Sequence, residues 1–67
     1  MIQDKVGARI KELRGQLQIS QEELGFRSGV HRTYIASLEV GKRNVSIVTL
    51  EKIINALDVS FSEFFNW

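Results

Sequence analysis

The chain has 67 residues, of which 43% are hydrophobic and 25% charged, and its formal net charge is +1. A chain of this length can form one domain around a small core, and the absence of cysteine excludes disulfides and thiolate metal sites. No apolar run approaches the roughly 18 residues of a membrane span, and the opening MIQDKVGARIKELR does not read as a signal peptide, so we expect a cytoplasmic protein without a membrane partner.

Basic charge is concentrated in the middle of the chain. Residues 27–43 carry four basic side chains against one acidic side chain, a net charge of +3. Residues 1–26 are neutral in sum, and the remainder has a net charge of −2. This distribution is expected if the middle segment faces phosphates and the two ends face something else.

The first predicted helix has apolar residues at spacings of four, three and four, namely Val6, Ile10, Leu13 and Leu17. We expect it to fray over residues 15–18, because Gly15 costs about 1 kcal/mol relative to alanine inside a helix. The second predicted helix begins after Ser20, which forms a reciprocal capping box with Glu23. It ends at Gly29, since glycine accepts a left-handed backbone without a steric penalty.

The third predicted helix runs from about His31 to Val40, with Ile35 and Leu38 inward and Gly41 as its terminator. The fourth begins near Ser46. It carries a wide apolar stripe that should form the floor of the core: Ile47, Val48, Leu50, Ile53, Ile54 and Leu57.

The chain ends in an aromatic segment, residues 60–67, which opens with a second capping box between Ser60 and Glu63. Its aromatic residues are Phe61, Phe64, Phe65 and Trp67. So many aromatic residues at a chain end predict that these side chains are buried against the first helix, against a partner subunit or against both. We expect the exposed part of this cluster, with Val59, to form a dimer interface.

Residues 21–40, QEELGFRSGVHRTYIASLEV, have the pattern of a helix-turn-helix unit. Gly25 at the fifth position allows a close crossing, and Gly29 at the ninth forms the turn. The residues that fix the crossing angle are Leu24, Val30, Ile35 and Leu38. The pattern predicts an all-α fold, a five-helix bundle in which residues 1–67 form one DNA-binding domain.

The chain resembles the lambdoid-repressor and Cro-like (XRE-type) DNA-binding domains, chiefly from Ser20 to Val59. HRTYIASLEVGKRN followed by SIVTLEKIINALDVSFSEFF is most similar to the controller proteins of restriction-modification systems. The resemblance implies that the helix starting at His31 enters the major groove of double-stranded DNA and meets base edges with its first residues.

Within that recognition helix, Arg32 is the best candidate for reading a base, because a guanidinium can bond to guanine O6 and N7 for about 1–3 kcal/mol of discrimination. Thr33 is placed to touch a thymine methyl or a phosphate, and Ser37 to reach a base edge or a water. His31 is either a weak phosphate contact or an inert cap, and without a second histidine or a cysteine it suggests no metal site.

The resemblance also implies phosphate contacts for residues before, within and after the recognition helix. The family uses a glutamine at the position of Gln21 to hold a phosphate at the first turn of its helix, and the residue matching Tyr34 lies near the DNA backbone. Lys42, Arg43 and Asn44 are the remaining phosphate clamps, which position the protein without specifying sequence. The alternatives are that Tyr34 caps the core and that Lys42 and Arg43 form a solvated turn.

The resemblance also implies a structural ion pair between Arg14 and Glu39. The only paired carboxylates, Glu22 and Glu23, are adjacent on a helix and do not face each other. Nothing therefore indicates catalysis, a cofactor or a bound metal.

We expect a homodimeric transcription regulator on a pseudo-palindromic operator, with half-sites about 34 Å apart. As a controller it would both activate and repress its own promoter, with RNA polymerase as a further partner. One alternative is a repressor from a phage or a toxin-antitoxin pair. Another, of a different class, is an adaptor that keeps the fold and binds protein instead of DNA.

Overall fold

Five α-helices follow one another along the chain, and the computed structural model describes residues 1–67. The helices are α1 (Ile2–Leu17), α2 (Gln21–Ser28), α3 (Arg32–Glu39), α4 (Ile47–Ala56) and α5 (Phe61–Phe64). The all-α, five-helix class predicted from the sequence is confirmed. None of the helices is long and apolar enough to cross a membrane.

All five helices contribute to a single hydrophobic core. Its eleven buried residues are Val6, Ile10, Leu13, Leu24, Ile35, Leu38, Leu50, Ile53, Ile54, Leu57 and Phe64. Each such side chain contributes about 1.5–3 kcal/mol when it is fully removed from water. The core therefore fixes how α2 and α3 lie on the scaffold of α1, α4 and α5.

The end of α1 differs from the sequence-based prediction. The helix does not fray at Gly15 but continues regularly to Leu17, and Gln18 ends it in a left-handed conformation with a φ of 57°. Gly15 faces solvent, with no atom of another helix within 4 Å of the position that a Cβ would take, so no packing conflict adds to the helix-propensity cost of this glycine. Leu17, expected on the buried stripe, keeps 39% of its surface exposed because the stripe leaves the core there.

Both predicted capping boxes form only their serine half. The Ser20 hydroxyl accepts from the Glu23 amide at 2.9 Å, and the Ser60 hydroxyl accepts from the Glu63 amide at 3.0 Å. The Glu23 carboxylate does not return to Ser20; it accepts from Arg27 Nε at 2.8 Å, one turn further along α2. A cation at that distance is a stronger attraction for a carboxylate than a neutral amide.

The predicted apolar stripe of α4 is wrong at its first two positions. Ile47 and Val48 are 68% and 61% exposed, whereas Leu50, Ile53 and Ile54 are buried. Ile47 shares the helical face of Leu50 and Ile54 but lies one turn earlier, beyond the edge of the core. Val48 lies on a different face, with exposed polar residues three and four positions further along α4.

Two residues outside the predicted apolar stripe hold α1 in place. Gly7 is buried where α1 meets α3, and a Cβ atom at this position would collide with the backbone carbonyl of Leu38. Arg9 donates from Nε to the Phe64 carbonyl at 2.9 Å and from Nη2 to the Glu63 carbonyl at 2.6 Å. Arg9 therefore donates to two carbonyls at the end of α5 and anchors the aromatic segment to α1.

Candidate nucleic-acid interface

The corner between α2 and α3 is closed by two glycines. Gly29 has a φ of 72°, and its amide donates to the Gly25 carbonyl at 2.9 Å, which ends α2. A Cβ atom at Gly25 would lie 2.7 Å from the Val30 carbonyl oxygen and 3.3 Å from the Arg32 amide nitrogen. The backbone of the turn thus passes directly over Gly25, as the spacing of the two glycines predicted.

The start of α3 projects into solvent. His31 is the N-cap, and its Nδ1 accepts from the Thr33 amide at 3.2 Å and lies 2.8 Å from the Thr33 hydroxyl. His31 therefore caps α3 through Nδ1, which is one of the two roles predicted for it. Arg32 is 63% exposed and Thr33 is exposed as well, so both can meet a ligand without rearrangement of the core.

Tyr34 and Ser37 are half-buried, in contrast to these first residues. The Ser37 hydroxyl donates to the Tyr34 carbonyl at 2.8 Å, so it is partly occupied by its own helix. Tyr34 packs against the core, and its hydroxyl donates to the Asn44 carbonyl at 3.4 Å. Its ring also lies beneath the Arg43 guanidinium, 4.7 Å from the ring centroid. Tyr34 thus contacts both the core and the loop that follows α3.

That loop carries three exposed side chains, Lys42, Arg43 and Asn44. Gly41 reverses the chain with a φ of 74°, and the Lys42 amide donates to the Ser37 carbonyl at 3.0 Å. The loop is therefore fixed to the end of α3 by backbone hydrogen bonding and by the stacking of Arg43 on Tyr34. Its two basic side chains, Lys42 and Arg43, belong to the same basic segment, residues 27–43, as the exposed start of α3.

Gln21 belongs to a hydrogen-bonded network beneath this surface. The Gln21 side-chain amide donates to Glu39 Oε1 at 3.0 Å. Arg14 donates to both oxygens of the same carboxylate, from Nε at 2.8 Å and from Nη2 at 3.0 Å. Arg14 also donates to the Ile19 carbonyl at 2.9 Å. Gln21 is thus oriented by Glu39, which occupies one of the two N–H donors of its side-chain amide.

The aromatic segment divides into a buried and an exposed part. Phe64 is fully buried within the chain and so belongs to the core; its assignment to a dimer interface is not compatible with that burial. Phe61, Phe65 and Trp67 remain 39%, 40% and 52% exposed. Val59 is half-buried against the core.

The three rings at the chain end, Phe64, Phe65 and Trp67, pack edge to face, with centroids 5.0–6.3 Å apart. This geometry holds the exposed pair in a fixed orientation over the buried ring. The exposed part of the cluster is therefore a preformed apolar surface. Ile47 and Val48, which the apolar stripe of α4 predicts in the core, form a second exposed apolar surface at the start of that helix.

Comparison with known proteins matches the helix-turn-helix family model to residues 10–64. Control protein C.MunI of a Mycoplasma species is 42% identical over 66 residues, covering 97% of this chain and 89% of the relative. The chain belongs to the helix-turn-helix family that includes the restriction-modification controller proteins.

Two crystal structures of controller proteins extend the likeness to three dimensions. C.AhdI from Aeromonas hydrophila has a TM-score of 0.89 and 44% identity, and the match covers 94% of this chain and 96% of that chain. C.Esp1396I, solved as a tetramer in complex with its natural 35 base-pair operator, has a TM-score of 0.92 and 38% identity over 97% of this chain and 86% of that chain. The resemblance drawn from the HRTYIASLEVGKRN segment is thereby confirmed.

Proposed function

We propose that this helix-turn-helix protein binds a pseudo-palindromic operator as a homodimer and regulates the genes of a restriction-modification system. The observation that carries the proposal is the exposed start of α3, where Arg32 and Thr33 project from a corner fixed by Gly25 and Gly29. An α-helix fits the major groove of B-DNA, and its N-terminal residues are those that reach base edges in helix-turn-helix proteins.

Arg32 is the proposed base-reading residue. Its guanidinium is 63% exposed and makes a single, long ion pair, so most of its N–H donors are free for guanine O6 and N7. Thr33 and His31 stand beside it, and their mutual contact limits the rotamers that Thr33 can adopt. Ser37 lies one turn further along, and since its O–H is donated to Tyr34 it contributes as an acceptor.

The phosphate contacts are proposed for Lys42, Arg43 and Asn44, with Gln21 on the other side of the corner. Backbone hydrogen bonds and the stacking of Arg43 on Tyr34 keep the loop in one arrangement before DNA arrives. Tyr34 is proposed to combine both roles considered for it: its ring supports the loop, and its exposed hydroxyl turns from the Asn44 carbonyl to donate to a phosphate when DNA binds. These residues position the protein on the duplex and supply its salt-dependent affinity.

A second copy of the chain is the proposed partner. A single recognition helix makes few base contacts, whereas selectivity of about 4–10 kcal/mol over bulk DNA is readily reached by two. Phe61, Phe65 and Trp67, together with half-buried Val59, supply an apolar surface of fixed shape on each copy. The similar C.Esp1396I is a tetramer on its 35 base-pair operator, which agrees with assembly from dimers.

The function is binding and regulation, not catalysis, in agreement with a family of transcriptional regulators. Such a regulator works in the cytoplasm, where its operator and RNA polymerase are found. We infer that its target promoters are its own and that of a restriction enzyme. A methyltransferase gene and an endonuclease gene beside its own would support this, whereas a phage lysogeny or toxin gene there would favour the alternative repressor role.

The proposal is tested by selecting bound duplexes from a random pool and then repeating the binding measurements with Arg32→Ala. We expect symmetric half-sites about one helical turn apart in the selected duplexes. Arg32→Ala should relax the preference at one base step of each half-site and cost about 1–3 kcal/mol there. No enrichment from the pool would favour the adaptor function, and a uniform loss of affinity would reduce Arg32 to a phosphate contact.

A further inference from the structure

One acidic side chain lies directly against the proposed base-reading residue. Glu22, in the first turn of α2, places Oε2 at 3.4 Å from Arg32 Nη1. The two side chains are 77% and 63% exposed, and neither forms another hydrogen bond or ion pair. Glu39, the only acidic residue between positions 27 and 43, is occupied by Arg14. Glu22 is therefore the carboxylate that faces the start of the recognition helix, and Arg32 is its only side-chain partner.

We propose that Glu22 is a specificity-determining residue that directs Arg32 toward a base edge and away from the phosphates. The inference rests on the proposed function, in which Arg32 reads a base. It adds a residue that makes no DNA contact of its own and acts through the orientation of Arg32.

The planar shape of the guanidinium explains how one carboxylate can favour base reading. A guanidinium has five N–H donors in a fixed plane, and Glu22 engages Nη1 alone. The Nε and Nη2 edge stays complete, and that edge can bond to guanine O6 and N7 while Nη1 keeps its contact with Glu22. In a sequence-specific complex the ion pair can therefore persist.

Binding of Arg32 to a phosphate has a different consequence. Arg32 would have to turn from Glu22 to a phosphate, and the unpaired carboxylate would then lie near the negatively charged DNA backbone. Like charges placed close together oppose association. Glu22 thus disfavours the sequence-independent mode of binding more than the sequence-specific one. It therefore raises the ratio of the affinity for the specific duplex to the affinity for any other duplex.

The test compares Glu22→Gln with Glu23→Gln. Both substitutions remove one negative charge from the first turn of α2 with little change in shape. Glu23 is the matched control because its carboxylate pairs with Arg27 at 2.8 Å and makes no contact with Arg32. Binding is measured on a duplex selected from a random pool by the unmodified protein and on a scrambled duplex of the same length, and thermal unfolding checks that each variant folds.

Glu22→Gln should strengthen binding to the scrambled duplex more than to the selected one, so that the ratio of the two affinities falls about twofold to fivefold, the range that an exposed ion pair can carry. Glu23→Gln should change both affinities by the same factor. In the Arg32→Ala background, Glu22→Gln should leave the ratio unchanged, because the residue through which it acts is gone.

An equal change on both duplexes in Glu22→Gln would overturn the inference and leave the proposed function intact, provided that Arg32→Ala still relaxes the base preference. If Arg32→Ala leaves the preference unchanged, the role of Arg32 and the inference about Glu22 both fail. Since Glu22 and Glu23 are surface residues outside the core, neither substitution should prevent folding.

Discussion

Arg14 on α1 and Glu39 at the end of α3 form a two-pronged ion pair, with N–O distances of 2.8 and 3.0 Å between residues 25 positions apart in the chain. The Glu39 side chain is only 3% exposed and the Arg14 side chain 17%. Hydrogen bonding to Glu39 raises the pKa of Arg14 above its ordinary value. The pair joins the long helix of the scaffold to the recognition helix and also orients Gln21.

The first prediction concerns this pair. Glu39→Ala should lower the free energy of unfolding by about 3–5 kcal/mol, because it leaves the Arg14 charge without its partner in a largely buried site. DNA binding should fall in parallel with stability. Because the pKa of Arg14 is raised in the folded state, the contribution of its charge is present at neutral pH and is lost only as the pH rises through that raised value.

Urea unfolding at neutral pH measures this effect, and Arg27→Ala is the control. Arg27 forms a half-exposed pair with Glu23, so its replacement should cost no more than about 1 kcal/mol. Loss of DNA binding by Glu39→Ala in a protein of unchanged stability would contradict the structural role.

The second prediction compares two glycines of α1. Gly7→Ala should destabilise the protein by about 1–3 kcal/mol, because its Cβ would collide with the rigid backbone carbonyl of Leu38. Gly15→Ala should stabilise it by about 0.5–1 kcal/mol, because Gly15 is helical with open space around it. Thermal and urea unfolding of both variants measure whether the two changes in the free energy of unfolding have opposite signs. A stabilising Gly7→Ala would show that α1 and α3 are not in close contact.

The third prediction concerns self-association. Replacing Phe65 and Trp67 together by serine should weaken dimerisation about tenfold or more, as is common for central aromatic residues of an interface. Sedimentation equilibrium measures the change, and the monomer should remain folded because Phe64 keeps its place in the core.

Phe26→Ser is the matched control for this surface. Phe26 is 85% exposed on α2, so its replacement removes a similar apolar area at a position outside the aromatic segment and should leave the dimer unchanged. A strict monomer at tens of micromolar in the unmodified protein would remove the proposed dimer, since interfaces of ordinary affinity associate in that range.

The fourth prediction concerns the loop after α3. Lys42→Ala should weaken binding to selected and scrambled duplexes by the same factor and reduce the slope of log K against log salt by about 0.9, the value for one phosphate contact. Lys52→Ala, which removes the same charge from the exposed side of α4, should leave the slope unchanged. A changed base preference in Lys42→Ala would instead assign Lys42 to sequence reading.

The local features of the fold could be predicted from the sequence because each depends on neighbours within one or two helical turns. Helical spacing predicted the buried side chains of Val6, Ile10 and Leu13 in α1 and of Ile35 and Leu38 in α3. Serines at positions 20 and 60 marked two N-caps. The positive φ angles of Gly29 and Gly41 follow from the steric freedom of glycine. Gly25 and Gly29, at their spacing within residues 21–40, predicted the helix-turn-helix corner. The exposed start of the recognition helix, with Arg32 and Thr33, followed from the same pattern.

The tertiary structure decided what depends on residues distant in the chain. It directed the Gln21 amide to Glu39, placed Tyr34 beneath Arg43, and set Glu22 against Arg32. It also separated the aromatic segment into a buried Phe64 and exposed neighbours, and left Ile47 and Val48 outside the core. Periodicity predicts which face of a helix is apolar, but only the positions of the other helices determine how much of that face they cover.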